Sequence, residues 1–573
     1  MPSHTRSRLT ALVLACATAQ LAAASAPVGR TAPPERAVDA VFKRYDSKDT
    51  PGCSVAVIDA GKVVLKKSYG MADPALGVPM TSSTSSWIPY SEARVFVALG
   101  VAMLARDGKI SLDDPIRKHV PQVPAYASMV TIRQLLHHTS GLADYGVLTG
   151  PGFELHDRLS EDEMFRILAR WNKLGFAPGT DRMYSNTDYA LLKILVERIS
   201  GGSLHAFLDA ALLKRLGMTA TRIGSDQSEF RAGHALFHEA QGDGFRRLLR
   251  YRVSPIGGIA VTTSLDDLIR WDGALRDPAL GLGALLKTLE QGAPARESTG
   301  GNEGFSFGVY RRTQAGLPLV EYHGVGEFTY LVQVPGANLS VATLCNAYEG
   351  TSSFAADVAA LYAEASESSD AISAKPDAAS APRKPAIAVS VPLQELRRYV
   401  GEYRDAEGRP QVDVEIVDGA LVITPRGRPA LPGLIPIGNG QFASATPYLF
   451  AFTPSDQGDL KLTSRDAATG EAGGPDLQRW QPVPLSADIL GSYPGTYVGD
   501  DVELVIHVRA DGDRILLATR GMVEAELSQQ GKPDAFRLPE LYTARFERDA
   551  AGRVNALVLD ASRVKGMRFR RAP

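Results

Sequence analysis

Ser91 stands where a polar stretch, Trp87-Ile-Pro-Tyr-Ser-Glu-Ala-Arg94, gives way to an apolar one, Val95-Phe-Val-Ala-Leu-Gly-Val-Ala-Met-Leu104. A serine at the mouth of a helix is either an N-cap that accepts backbone N–H bonds or a nucleophile activated by the positive helix end. Capping is the commoner use, so Ser91 needs context. Other groupings also invite chemistry. Gly304-Phe-Ser-Phe-Gly308 has the spelling of a nucleophile elbow, with His323 downstream. An elbow needs a strand before its serine and a helix after it. Here Val309-Tyr-Arg-Arg-Thr313 and residues 317–322 read instead as the strands of a hairpin turning at Ala315-Gly316, which speaks against Ser306. His234 and His238, followed by Glu239, have metal-ligand spacing on a helix, yet Gly233 and Gln241-Gly-Asp-Gly244 predict a hairpin with no third ligand, so no zinc site is expected. His137-His138 reads as structural. No phosphate loop or dinucleotide fingerprint is present, and neither a metal nor an organic cofactor is implied.

The elements that position these residues fall into distinct regions. Residues 36–364 mix helical and strand periodicities, and Pro51-Gly-Cys-Ser-Val-Ala-Val-Ile-Asp-Ala-Gly-Lys-Val-Val-Leu65 predicts a β-hairpin turning at residues 59–62. Residues 365–392 form a flexible linker, because Ala, Ser, Pro and Lys dominate and almost nothing large and apolar is left to bury. Short alternating strands follow, punctuated by Asp-Gly, Gly-Asn-Gly and Pro-Gly. This region repeats itself. Leu396, Tyr399, Gly401, Tyr403, Gly427, Tyr448 and Phe452 recur as Leu490, Tyr493, Gly495, Tyr497, Gly521, Tyr542 and Phe546, all at one offset. Each copy is long enough to close a small antiparallel β-barrel and so remove exposed strand edges, predicting barrels over 393–483 and 487–573. Neither copy carries a Ser/His/Asp or His/Cys cluster, which points to accessory domains.

Four further segments supply context for Ser91: Gly108-Lys-Ile-Ser-Leu-Asp-Asp-Pro115, Thr131-Ile-Arg-Gln-Leu-Leu-His-His-Thr-Ser-Gly-Leu142, Pro178-Gly-Thr-Asp-Arg-Met-Tyr-Ser-Asn-Thr-Asp-Tyr189 and Gly257-Gly-Ile-Ala-Val-Thr-Thr-Ser-Leu-Asp-Asp-Leu-Ile-Arg-Trp271. In order and spacing they resemble the serine β-lactamase-like hydrolases, the penicillin-recognising group of AmpC-type β-lactamases, D-alanyl carboxypeptidases, D-aminopeptidases and related esterases. The resemblance covers residues 36–364, and a hydrolase domain followed by two barrels looks most like the D-aminopeptidase arrangement. It implies an α+β fold of the β-lactamase/transpeptidase type, an antiparallel sheet flanked by helices. It also implies a Ser-x-x-Lys pair one helical turn apart, a Tyr-x-Asn loop beside it, and a His-x-Gly strand that aligns substrate. Carried onto this chain, Ser91 is the nucleophile, Tyr184 and Asn186 match the second element, and His323 with Gly324 falls at the third.

Two positions depart from the pattern. Arg94 replaces the lysine, and a guanidinium stays protonated, so it cannot take the Ser91 proton. Val325 replaces a glycine, and a β-branched side chain there narrows the cleft. Two readings follow. In one, Arg94 supplies fixed positive charge that favours a Tyr184 phenolate, which deprotonates Ser91. In the other, turnover is lost and the cleft binds peptides or cell-wall fragments. Glu92 either pairs with Arg94 or faces solvent.

Composition bounds the rest. The chain has 573 residues, 44% hydrophobic and 22% charged, with 62 Lys+Arg against 64 Asp+Glu. Such near-neutrality argues against a general nucleic-acid binder or a polybasic membrane-surface protein. No run after the first 26 residues is apolar for long enough to cross a membrane as a helix. Residues 1–26 join a basic start at Arg6 and Arg8 to an apolar run and a small-residue stretch, the pattern of a signal peptide for export to the periplasm or the extracellular space. A lipoprotein anchored at Cys16 is the runner-up. Cys53 and Cys345 remain, both in strand-like runs, either bonded or as buried thiols. The expectation is an exported serine hydrolase acting on a small amide, ester, peptide or β-lactam substrate; oligomeric state is left open.

Overall fold

The structure is a computed structural model that describes residues 33, 35–88, 94–150, 159–224, 233–241, 244–247, 261–290, 304–306, 308–314, 317–323, 329–347 and 354–370 of the first part of the chain. Beyond these it describes 391–406, 410–417, 419–425, 434–443, 448–454, 459–466, 470, 472–480, 485–520, 522, 524–529, 534–538, 542–561 and 563–573. The first part is built on an antiparallel sheet of β1 (Cys53–Asp59), β2 (Lys62–Tyr69), β3 (Gly304–Ser306), β4 (Val309–Gln314), β5 (Leu317–His323), β6 (Thr329–Val334) and β7 (Leu339–Cys345), in the order β3-β4-β5-β6-β7-β1-β2. The β1–β2 hairpin turns as its sequence predicts, through Ala60 and Gly61, both at positive φ. Cys53 and Cys345, opposite each other in the β1–β7 register, are joined by a disulfide.

Strands β1 and β7 are buried along nearly their whole length because both faces of the sheet are covered. Their side chains alternate between two cores. Val55, Val57, Val341 and Cys345 pack with α1 (Glu35–Phe42) and α8 (Phe354–Asp370), whereas Ala56, Ala342 and Leu344 join the core of the remaining helices. That second core is built around α2 (Arg94–Arg106), α3 (Ile132–Leu136), α4 (Tyr145–Leu148), α5 (Asn186–Ser200), α6 (Leu265–Arg276) and α7 (Leu282–Leu289). Helix α2 is apolar on every side because it runs through the middle of this layer, buried from Arg94 to Leu104.

The nucleophile-elbow spelling is resolved here. Residues 304–306 pair with 309–311 as a hairpin, and no helix follows. Gly308 has φ +83°, and a Cβ there would lie 3.1 Å from the Val95 backbone nitrogen, so this glycine lets the hairpin sit against the start of α2. His238 likewise begins a hairpin strand paired with residues 244–247.

The repeat folds twice in the same way. The first copy forms an eight-stranded and the second a nine-stranded, nearly closed antiparallel sheet. In the first, a bridge between Leu421 and Leu434 joins the two edges. Repeated residues do repeated work: Tyr403 donates to the Tyr399 carbonyl at 2.9 Å, Tyr497 to the Tyr493 carbonyl at 2.7 Å, and Phe452 and Phe546 pack on the first tyrosine of each pair. The two copies are placed differently. The first has its own apolar core, whereas the second shares one continuous core with the helical layer. Leu504 of the second barrel packs onto Gly150, flanked by Arg170–Glu503 and Lys173–Asp501 ion pairs at 3.1 and 3.4 Å. Among the described residues no helix is long and apolar enough to cross a membrane.

Candidate active site

Arg94 is the first residue of α2 and is 1% exposed. A buried guanidinium is costly unless its donors are satisfied and its charge compensated. Its Nη2 donates to Asn186 Oδ1 at 2.8 Å, and its Nη1 lies 3.3 Å from His138 Nε2. Its Cζ lies over the rings of Tyr184 and Tyr189, 4.0 and 4.8 Å from their centroids. Two carboxyl groups lie one residue further out. Asn186 donates from its backbone N and its Nδ2 to Asp144 Oδ2 at 3.1 and 3.0 Å, and His138 Nδ1 meets Asp188 Oδ2 at 2.9 Å.

The tautomer of His138 follows from this network. Arginine nitrogens only donate, so Nε2 accepts from Arg94 and Nδ1 carries the proton to Asp188. The Ser185 amide also approaches Nδ1, at 3.3 Å, but a protonated nitrogen cannot accept it, so the shorter Asp188 contact is the hydrogen bond. Burial, reinforced by the charges of Arg94, Arg182 and Arg563, holds His138 well below the usual imidazole range. Burial pushes the Asp188 carboxyl the opposite way, while Ser140 Oγ donates to its Oδ1 at 2.6 Å.

Local sequence explains the placement. Thr131 and Gln134 form a capping box that starts α3, and the chain leaves that helix through His138 in the left-handed conformation at φ 58°, turning its ring inward. Asp144 caps α4 by accepting from the Gly146 amide. The first turn of α5 then clamps this loop: Thr187 Oγ1 donates to the Ala143 carbonyl and Tyr189 donates to that of Leu136.

Tyr184 is half-buried between two guanidinium groups. The second belongs to Arg563, in the turn between β8 (Val554–Ala561) and β9 (Val564–Arg571) of the second barrel. Its Cζ lies 4.3 Å from the Tyr184 ring centroid, and its Nη1 donates to Asp144 Oδ2 at 3.3 Å across 419 residues of sequence.

Of the residues anticipated from sequence, Arg94, Tyr184 and Asn186 come together as described. His323 ends β5, paired with Thr329 after a register shift. Ser91, Glu92, Gly324 and Val325 lie outside the described residues. Sequence reasoning singled out neither Asp144 nor Asp188 and took His138 as structural; their signal is adjacency to the His-His-Thr-Ser-Gly-Leu and Tyr-Ser-Asn-Thr-Asp segments. Nothing local pointed to Arg563.

A model of the β-lactamase family matches residues 38–365. The chain belongs to the β-lactamase family. Among curated proteins, Protein flp of Staphylococcus aureus is 30% identical over 197 residues, 34% of this chain and 38% of its own length. Penicillin-binding protein 4* of Bacillus subtilis is 29% identical over 184 residues, 32% of this chain and 40% of its own. The matches thus span well under half of either relative. The octameric penicillin-binding protein homologue from Pyrococcus abyssi superposes with a TM-score of 0.52 at 21% identity, covering 78% of this chain and 99% of that one, a likeness of fold. The chain accordingly has the β-lactamase/transpeptidase-like fold, within a family of serine hydrolases, and the Arg94–Tyr184–Asn186 cluster lies in the matched part.

Proposed function

We propose that this chain is a serine hydrolase that forms an acyl-enzyme at Ser91 with amide or ester substrates. The observation that carries this reading is the Arg94 guanidinium stacked on Tyr184 and tied to Asn186. Ser91 attacks the carbonyl. Tyr184, beneath the Arg94 guanidinium, takes the place of the lysine base: it accepts the Ser91 proton and returns it to the leaving amine or alcohol, and water then releases the acyl group. Asn186 orients the substrate, and the backbone N–H of Ser91 with one from the segment after His323 holds the oxyanion. Arg94 is a built feature in this reading, since two neutral hydrogen-bond partners and two aromatic faces receive it, which supports turnover over a cleft that only binds. An exported location is supported by the pattern of residues 1–26 and by the Cys53–Cys345 bond, which oxidising compartments favour.

The test is active-site labelling. The mature protein is incubated with a fluorophosphonate and, given the penicillin-binding name of one relative, with a labelled penicillin; the adduct is located by mass spectrometry. Label at Ser91 that is lost in Ser91→Ala supports the reading. No adduct and no ester turnover between about pH 6 and 10 would sink it. Arg94→Lys is a second probe, because it restores an amine able to accept the serine proton.

A further inference from the structure

A cavity of about 520 Å³ lies between the sheet and the helices that cover it, within the size range of small-molecule sites, about 300–1,000 Å³. Its floor is the face of β4, β5 and β6 that carries Val309, Val320, Tyr322 and Gln333, and its roof is α7 with the end of α6. Helix α7 turns one side to it: Gly283, Leu286, Lys287 and, at the C-cap, Glu290 follow the helical spacing, a strip about 10 Å long at 1.5 Å per residue. Gly283 fixes the roof, because a Cβ there would lie 2.5 Å from the Leu275 carbonyl oxygen, so only glycine lets α7 abut the end of α6. The walls are apolar, with Leu275, Leu286, Val309 and Val320 all buried. Two polar groups stand out. Tyr322 is 6% exposed, and its hydroxyl has one contact among the described residues, Gln333 Oε1 at 3.5 Å, outside the ordinary O–H···O range of about 2.5–3.0 Å. A buried phenol left without a close acceptor is suited to one brought by a ligand. Lys287, exposed at the rim, has no hydrogen-bond or ion-pair partner among the described residues. The other charged groups of the lining are engaged: Arg276 with Asp272, Asn338 and Ser340, Asp277 with the Ala279 amide, and Glu290 with Arg311. Glu290 lies one turn beyond Lys287, so at this exposed end one carboxylate stands among two cations.

We propose that this cavity binds a small amphiphilic carboxylate, with its anionic head at Lys287 and Arg311, its apolar body along Leu275, Leu286, Val309 and Val320, and a hydrogen-bond acceptor at its inner end facing the Tyr322 hydroxyl. An apolar slot in which a few polar groups set the orientation is the general form of a small-molecule site. The assignment is independent of the hydrolase reading, because binding here calls for no turnover.

Octanoate and 8-hydroxyoctanoate are the probes, and calorimetry on the full chain is the measurement, with thermal midpoints as a folding control for each variant. The wild type should bind both at a single saturable site, 8-hydroxyoctanoate more tightly. Lys287→Gln, a change at an exposed position, should weaken both about tenfold, as for loss of one charge-assisted contact. Tyr322→Phe should leave octanoate binding unchanged and remove the advantage of the hydroxyl. Ala284→Trp, which fills the cavity from the exposed side of α7, should abolish binding of both. Octanoate that fails to bind the wild type, or binds Lys287→Gln or Ala284→Trp as tightly, overturns the site. A hydroxyl that brings no advantage in the wild type, or an advantage that survives Tyr322→Phe, overturns the assigned orientation and with it the proposal.

Discussion

Arg94 and Asp188 are joined through one imidazole: the guanidinium donates to His138 Nε2, and His138 Nδ1 donates to the carboxyl group of Asp188, with all three buried. The buried cation therefore reaches a carboxyl group at one remove, and a second bridge through Asn186 links it to Asp144. Direct ion pairing would hold the guanidinium against a carboxylate. Bridging leaves it over the rings of Tyr184 and Tyr189.

Replacing Arg94 with Met should abolish labelling of Ser91 and also weaken the fold. The loss leaves an acceptor on His138 and one on Asn186 without their donor, so about 3 kcal/mol of stability is expected to go. Urea unfolding monitored by circular dichroism measures this. A variant as stable as the wild type would show that the bridge contributes little.

The His138–Asp188 pair makes a signed prediction about pH. Below its ordinary value of 6.5 the unfolded His138 takes up a proton that the folded one refuses, so this group alone stabilises above 6.5 and loses stability as pH falls. Asp188 works oppositely, keeping a proton in the folded state above its ordinary 3.8, so the two offset each other between those values. Asp188→Asn removes the second effect and keeps an acceptor for His138. Its unfolding free energy should then fall between pH 6.5 and 5 by up to about 1.4 kcal/mol per unit relative to wild type. Parallel profiles for the two proteins would refute the assignment.

The disulfide closes a long loop, with Cys53 and Cys345 separated by 292 residues. Cys53→Ser with Cys345→Ser should cost about 2–5 kcal/mol, seen as a lower thermal midpoint that reductant no longer shifts. A midpoint insensitive to reductant in the wild type would mean that the bond contributes nothing.

Docking of the second barrel should be sensitive to one methyl group. Gly150 has φ +91°, and a Cβ there would lie 2.3 Å from Leu504 Cδ2. Gly150→Ala should cost about 1–3 kcal/mol and speed limited proteolysis, and adding Leu504→Ala should recover part of the loss. Equal proteolysis rates in all three proteins would show that the contact does not hold the barrel.

By itself the sequence determined the larger elements. The β1–β2 hairpin was legible because Asp-Ala-Gly-Lys admits left-handed residues in mid-turn, and the twin barrels because their tyrosines and phenylalanines recur at one offset. The family was legible because its segments are contiguous, and each carries its own turn or cap. Arg94, Tyr184 and Asn186 could be brought together on that basis alone. Only the tertiary structure decided what surrounds them. Whether an arginine is tolerated depends on which groups receive it, and His138, Asp188 and Asp144 come from separate elements whose meeting is set by how α2, α3, α4 and α5 pack. Arg563 is the extreme case. No local pattern marks an arginine in a barrel turn as part of a cleft 419 residues from its partner Asp144, because its role is created by the docking of one domain on another.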